Sequence, residues 1–191
     1  MGEAKELVAQ MNGNQPVLQQ VAQENAAYSE RLLEIAAAVQ ATTAERETLE
    51  RELKKVEETF RSTRQKIDMA GLSQALGLLL YDLQRTLPDQ RQLIRKLSRN
   101  RVVIAETGLV QVQAAEERKK LDDKEGYIEE LTSGVTPEQI QTLLPELRSL
   151  LANRSELLDK IIASNRAQLS QLSEIELLAT EAQAQLGVVP P

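Results

Sequence analysis

Residues 17–70, VLQQVAQENAAYSERLLEIAAAVQATTAERETLERELKKVEETFRSTRQKIDMA, form a run of 54 residues without a glycine or a proline. Steps of three and four residues from Leu18 to Ile67 visit fifteen positions. Eleven are large and apolar: Leu18, Val21, Tyr28, Leu32, Ile35, Val39, Leu49, Leu53, Val56, Phe60 and Ile67. Asn25, Thr42, Arg46 and Thr63 interrupt them. Such spacing lays an apolar seam along one side of a helix, and a period of 3.5 makes neighbouring helices supercoil. At a rise of about 1.5 Å per residue the run predicts a rod of roughly 80 Å. A chain organised around this element is built for contact along its length more than for enclosing a substrate.

Composition agrees with narrow helical seams. Aromatic residues make up 2% of the chain, with one Phe, three Tyr and no Trp, so bulky side chains for a wide core are scarce. Charged residues, 27% of the total, are interspersed in sign, as on solvated helix faces. There is no Cys and no His, which excludes thiol chemistry, disulfides, thiolate or imidazole metal ligation and a histidine base. A net charge of −6 disfavours a general nucleic-acid binder. The most apolar run, residues 76–83, is far too short to span a bilayer and carries Asp82. The amino terminus lacks the basic-then-apolar order of a signal peptide.

Working outward from the long run, Asn12-Gly13-Asn14-Gln15-Pro16 is a turn cluster, with Pro16 suited to a first helical turn. Residues 1–15 therefore read as a loose segment. On the other side the count fails: the leucines at 72, 76, 79 and 83 lie about two residues out of register. Gly71 followed by Leu72 fits a Schellman stop, which predicts a break and a short helix over 73–86. The corner at Thr86-Leu87-Pro88-Asp89 starts another helix, running to Leu121 with Leu93, Leu97, Ile104, Leu109 and Val112 as its apolar stripe and Gly108 inside it. Residues 122–136 read as a loop with one helical turn over 127–131. Thr136-Pro137-Glu138-Gln139 is a capping box, and Pro145 is expected to kink or split the helix that follows.

A second clean seam comprises Leu144, Leu147, Leu151, Leu158, Ile161, Leu172, Ile175, Ala179, Ala182 and Leu186, interrupted by Arg154, Asn165 and Gln168. The expected fold is all-α: an elongated antiparallel helical coil, or three-helix bundle with long helices. Residues 16–187 would form one domain and residues 188–191 a tail.

Three charged features could carry chemistry. Arg85, Arg91, Arg95, Lys96, Arg99 and Arg101 are opposed only by Asp89, and Arg91, Arg95 and Arg99 share a helix face. A solvated face paired with Glu-rich helices is the leading reading, and contact with anionic lipid head groups the next. Asp122, Asp123 and Glu125, with Lys124 among them, lack the spacing of a calcium loop and read as solvated loop charge. Glu47–Arg51, Glu50–Lys54 and Glu57–Arg61 are i,i+4 pairs on an exposed face. The polar seam residues Asn25, Arg46, Asn165 and Gln168 either fix helix register or mark where water enters. No catalytic, cofactor-binding or metal-ligating residues are expected, and no enzyme.

Residues 76–121, LGLLLYDLQRTLPDQRQLIRKLSRNRVVIAETGLVQVQAAEERKKL, and 150–186, LLANRSELLDKIIASNRAQLSQLSEIELLATEAQAQL, resemble the periplasmic helical region of large mechanosensitive channels of the MscS-like superfamily. The resemblance lies in the corner at Leu87-Pro88, the basic helix after it, Ile104-Ala105-Glu106 with Leu109, and Arg154, Leu157-Leu158-Asp159, Asn165 and Leu169. Residues 17–70 fit by position and period but not by motif. The family's pore region is missing, so the resemblance implies an excised extramembrane domain. It further implies a periplasmic location as part of an inner-membrane protein, sister subunits of a homo-oligomeric channel as partners, contact with the cell wall or a membrane surface, and a role in osmotic stress. It carries no cofactor, nucleic acid or small-molecule substrate. The alternative is a free-standing coiled-coil adaptor or scaffold, such as the helical hairpin of a secretion or efflux assembly.

Overall fold

The computed structural model describes residues 16–70, 81 and 90–187. The expected break at Gly71, the helix over 73–86, the corner at 86–89, the segment 1–15 and the tail 188–191 lie outside the described residues. The elements are α1 (Pro16–Ala70), α2 (Gln90–Lys120), α3 (Lys124–Leu131) and α4 (Pro137–Gly187). The fold is an all-α helical bundle of long helices.

Each local sequence explains its boundary. Pro16 and Pro137 occupy the first helical position, where the missing N–H costs nothing. The Thr136 N–H donates to Gln139 Oε1 at 3.4 Å, the return half of the expected capping box. α2 ends on Arg118, Lys119 and Lys120, cations that suit the negative end of its dipole. The backbone then tightens, with Leu121 N–H on Arg118 O and Asp122 N–H on Lys119 O, both 3.1 Å. Asp123 caps α3 by accepting the Gly126 N–H at 3.0 Å. A Cβ at Gly126 would come within 2.5 Å of that carboxylate, so glycine here makes room for the cap. Gly134, at φ +97°, lets the chain turn into α4.

One expectation is corrected at this level, and one alternative of a second is removed. Residues 124–131 form eight residues of helix, more than the single turn expected, because Asp123 caps the start and Thr132 closes the end on Ile128 O at 2.9 Å. Pro145 sits inside α4 without splitting it. Leu143 and Leu147 are buried on either side of it, while Pro145 and Gln141 are exposed, so the carbonyl that loses its partner belongs to a solvent-facing residue.

The α1 seam lies where the 3-4 count puts it. All fourteen positions from Leu18 to Thr63 are buried or half-buried, and the fifteenth, Ile67, lies outside the described side chains. The α4 seam holds likewise from Leu144 to Ala182. α2 differs from expectation. Its buried line runs through Leu93, Leu97, Asn100, Ile104, Thr107, Gln111, Ala114, Arg118 and Leu121. Leu109 and Val112 are 59% and 55% exposed, because the true 3-4 line on this helix passes through polar and small residues there.

Contacts group the helices into two compact units. The first comprises residues 16–40 and 106–169: the start of α1, the end of α2, all of α3 and the first part of α4. Leu147, Leu151, Leu158 and Ile161 of α4 meet Leu18, Val21 and Ile35 of α1, Ala114 and Leu121 of α2, and Ile128 of α3 in one apolar cluster. Burying each leucine fully contributes about 1.5–3 kcal/mol. The second unit comprises residues 41–70, 90–105 and 170–187. Its cluster is smaller: Leu49 and Leu53 of α1, Leu93 of α2, and Ile175, Ala179 and Ala182 of α4.

Candidate functional site

The residues that break the two clean seams meet one another. In the first unit, Arg154 of α4 is 3% exposed and Asn25 of α1 is 2% exposed. Arg154 Nε donates to Asn25 Oδ1 at 3.0 Å, and Asn25 Nδ2 donates to the Leu150 carbonyl at 2.8 Å. One terminal nitrogen of Arg154 donates to the Tyr127 hydroxyl of α3 at 3.1 Å. The other reaches the Val21 carbonyl at 3.3 Å and forms an ion pair with the Glu24 carboxylate. The guanidinium also lies 5.9 Å from the ring centre of Tyr28. One side chain thus fastens α1, α3 and α4 together.

Burial of a lone guanidinium costs several kcal/mol, and this one survives only with its partners in place. An apolar 3-4 seam repeats itself every heptad and by itself accepts several registers. Sliding α1 along α4 by one turn would take Asn25 and Glu24 away from Arg154 and leave a cation in the core. The network therefore selects one pairing of α1 with α4. Arg118 of α2 supports it from the other side, bridging Asp159 of α4 at 3.0 Å and Asp122 at 2.9 Å.

Tyr28 connects this network to the surface. Burial pushes its phenol above the ordinary tyrosine range, Glu117 adds to the rise, and the Arg154 charge opposes it. With Arg31, Val110, Gln113, Ala114 and Glu117, Tyr28 lines a shallow cleft of about 370 Å³. Glu117 is engaged by Lys120 at 2.6 Å, a bond that holds the Lys120 ammonium above its usual range.

The other polar seam residues fare differently. In the second unit Arg46 pairs with Glu174 at 3.1 Å in a half-buried position, and its Nε makes no hydrogen bond among the described residues. Asn100 donates to the Leu172 carbonyl at 2.8 Å. Asn165 is fully buried in the first unit, yet its Nδ2 finds no acceptor among the described residues, and Gln168 is buried nearby in the chain. Of these residues, Asn25 is both buried and hydrogen-bonded across to α4.

The loop carboxylates each have a structural partner: Asp122 with Arg118, Asp123 with the α3 start, and Glu125 with Arg148 at 2.9 Å. Among the described residues no group of three metal-ligating side chains converges. Arg51 does not reach the Glu47 carboxylate. It donates instead to the Glu47 carbonyl and the Thr48 hydroxyl, both at 3.1 Å, since an exposed ion pair offers little over backbone acceptors close by. Of the basic stretch, Arg101 pairs with Glu176 of α4 at 2.9 Å, while Arg95 and Arg99 are exposed. Arg85 and the Arg91 side chain lie outside the described residues.

No family profile, no curated protein and no solved structure matches this chain. Its candidate site thus rests on geometry alone. Among the described residues, no helix is long and apolar enough to cross a membrane. The sequence shows Arg154 as an interruption of a seam and as part of the family resemblance, not as a partner of Asn25. Its pairing with Asn25 was signalled by the fact that α1 and α4 each carry a polar break, although nothing local says that the two breaks face each other.

Proposed function

We propose that this chain is a non-catalytic helical domain of a mechanosensitive channel of the MscS-like superfamily. In this reading it stands in the periplasm as an extramembrane part of an inner-membrane protein, packs against sister subunits and tunes gating during osmotic stress. One observation carries the reading. The α4 residues that make the sequence resemble that family include those that fasten the helices: Arg154 to α1 and α3, and Asp159 to Arg118 of α2. A domain that passes force along helices needs cross-links that resist sliding, and buried charge-assisted bonds provide them.

The test is the gene itself. Sequencing the locus beyond the codon for Pro191 is expected to find apolar spans and a pore segment. The complete gene is then expected to restore survival of osmotic downshock in a bacterial strain stripped of its own mechanosensitive channels. A stop codon there, or failure of rescue, supports the alternative of a free-standing coiled-coil adaptor or scaffold. That second reading draws on Leu109 and Val112, apolar residues three apart that α2 leaves exposed.

A further inference from the structure

We propose that the outer face of α2 over residues 94–105, in the second unit, docks onto an anionic phospholipid surface. This inference stands without the channel reading, because it uses only exposure, charge and helix geometry. At 100° per residue, Leu93, Leu97, Asn100 and Ile104 form the side turned into the bundle. Ile94, Ser98, Val102 and Ala105 fall within an arc of about 80° on the outer side. All four are exposed, with Ile94 at 46% and Val102 at 57%. Arg95 and Arg99 lie just beyond one edge of that arc, and Arg101, paired with Glu176 but still largely exposed, beyond the other.

An apolar strip bordered by arginines on both edges is the arrangement of a helix lying in a bilayer interface. The branched side chains enter the head-group boundary, and the long cationic stems reach back to phosphate. Charge specifies the partner. Residues 90–105, QRQLIRKLSRNRVVIA, carry five cations and no carboxylate in a chain of net charge −6. Arg95 and Arg99 form no ion pair among the described residues. A nucleic acid would meet no aromatic side chain on which to stack, and would leave Ile94 and Val102 without a use. A phospholipid surface answers both halves of the face.

The full-length chain is sedimented with vesicles of equal parts phosphatidylglycerol and phosphatidylcholine, and separately with pure phosphatidylcholine vesicles. Binding is expected to the first only, and to weaken as salt rises. Each cation near such a surface contributes about fivefold in partition. Arg95→Glu with Arg99→Glu should therefore lower binding by about 25-fold or more. Lys54→Glu with Lys55→Glu, the same charge change on exposed positions of α1, should leave most of it. Ile94→Ser with Val102→Ser should weaken binding while preserving its salt dependence. Helix content by circular dichroism confirms that the variants fold, as exposed substitutions should. The proposal is overturned by absence of binding to the anionic vesicles, by equal loss in the Lys54/Lys55 control, or by an Ile94/Val102 variant that binds like the parent. It is also overturned if a single-stranded RNA oligomer binds more tightly than the vesicles through Arg95 and Arg99.

Discussion

The two units use the same three long helices and the same 3-4 spacing, yet they are held together differently. The first unit surrounds a buried arginine with acceptors from α1 and α3, inside a cluster of thirteen buried apolar side chains among the described residues. The second has six such side chains, a half-buried Arg46–Glu174 pair and one buried asparagine bond to a helix carbonyl. A heptad pattern therefore makes helices associate in both, but among the described residues only the first unit buries a charged side chain where three helices meet. The second is the simpler apolar seam, and it turns its basic face outward.

The largest expected effect removes that difference at its centre. Arg154→Ala removes the donor to Asn25 Oδ1 and the Tyr127 hydroxyl and the cation paired with Glu24, and urea unfolding should show a loss of about 3–5 kcal/mol. Arg46→Ala, at a half-buried pair with a single partner, should cost about 1 kcal/mol or less. Similar losses at both arginines would erase the distinction between the units.

Core truncations come next. Leu151→Ala, at a site with no exposure, is expected near the upper end of the ~2–5 kcal/mol range for such changes, and Leu53→Ala, in the smaller cluster, near the lower end. Glu52→Ala, beside Leu53 but exposed, should stay below about 0.5 kcal/mol. If Leu53→Ala were as mild as Glu52→Ala, the second unit would not be a packed seam at all.

Two glycines sharpen the account within the first unit. Gly134→Ala should destabilise by about 1 kcal/mol, since a side chain is strained at φ +97°. Gly108→Ala should stabilise by roughly 0.5–1 kcal/mol, because a Cβ there meets nothing within 4 Å and alanine is the better helix former.

The smallest effect is a pH dependence. The Tyr28 phenol is held above its ordinary value of 10 by burial first and Glu117 second. Between the unfolded and folded values the folded state holds the extra proton, so this contribution is fully present below about pH 10 and falls away as pH rises beyond it. Tyr28→Phe should flatten that alkaline decline in a thermal-melting series, and an unchanged decline would remove Tyr28 as its source.

How far these features could be read from sequence depended on which residues carried them. The α1 seam was legible because large apolar residues occupy eleven of its fifteen heptad positions. The α2 seam was legible only in part: Leu93, Leu97 and Ile104 lie on it, but Asn100, Thr107, Gln111 and Ala114 hold its other positions while Leu109 and Val112 lie outside. Over residues 107–114 hydrophobicity alone then points to the wrong face. Helix α3 reads from sequence as one turn over 127–131, whereas the Asp123 cap, with room made by Gly126, starts it earlier. Asn25 and Arg154 were visible as breaks, but their meeting across more than a hundred residues is a consequence of tertiary pairing. The Leu-Pro corner and the Gly71 stop lie outside the described residues.

The central claim is that the buried network makes the first unit the more firmly fixed of the two. Helix α4 passes through both, so a single element provides the comparison. Native-state hydrogen exchange along α4 reports local opening turn by turn. Amides of residues 147–161, around Arg154, are expected to exchange more slowly than those of residues 172–182, and Arg154→Leu is expected to bring the two stretches together. Equal protection in the parent chain, slower exchange over 172–182, or a difference that survives Arg154→Leu would contradict the account.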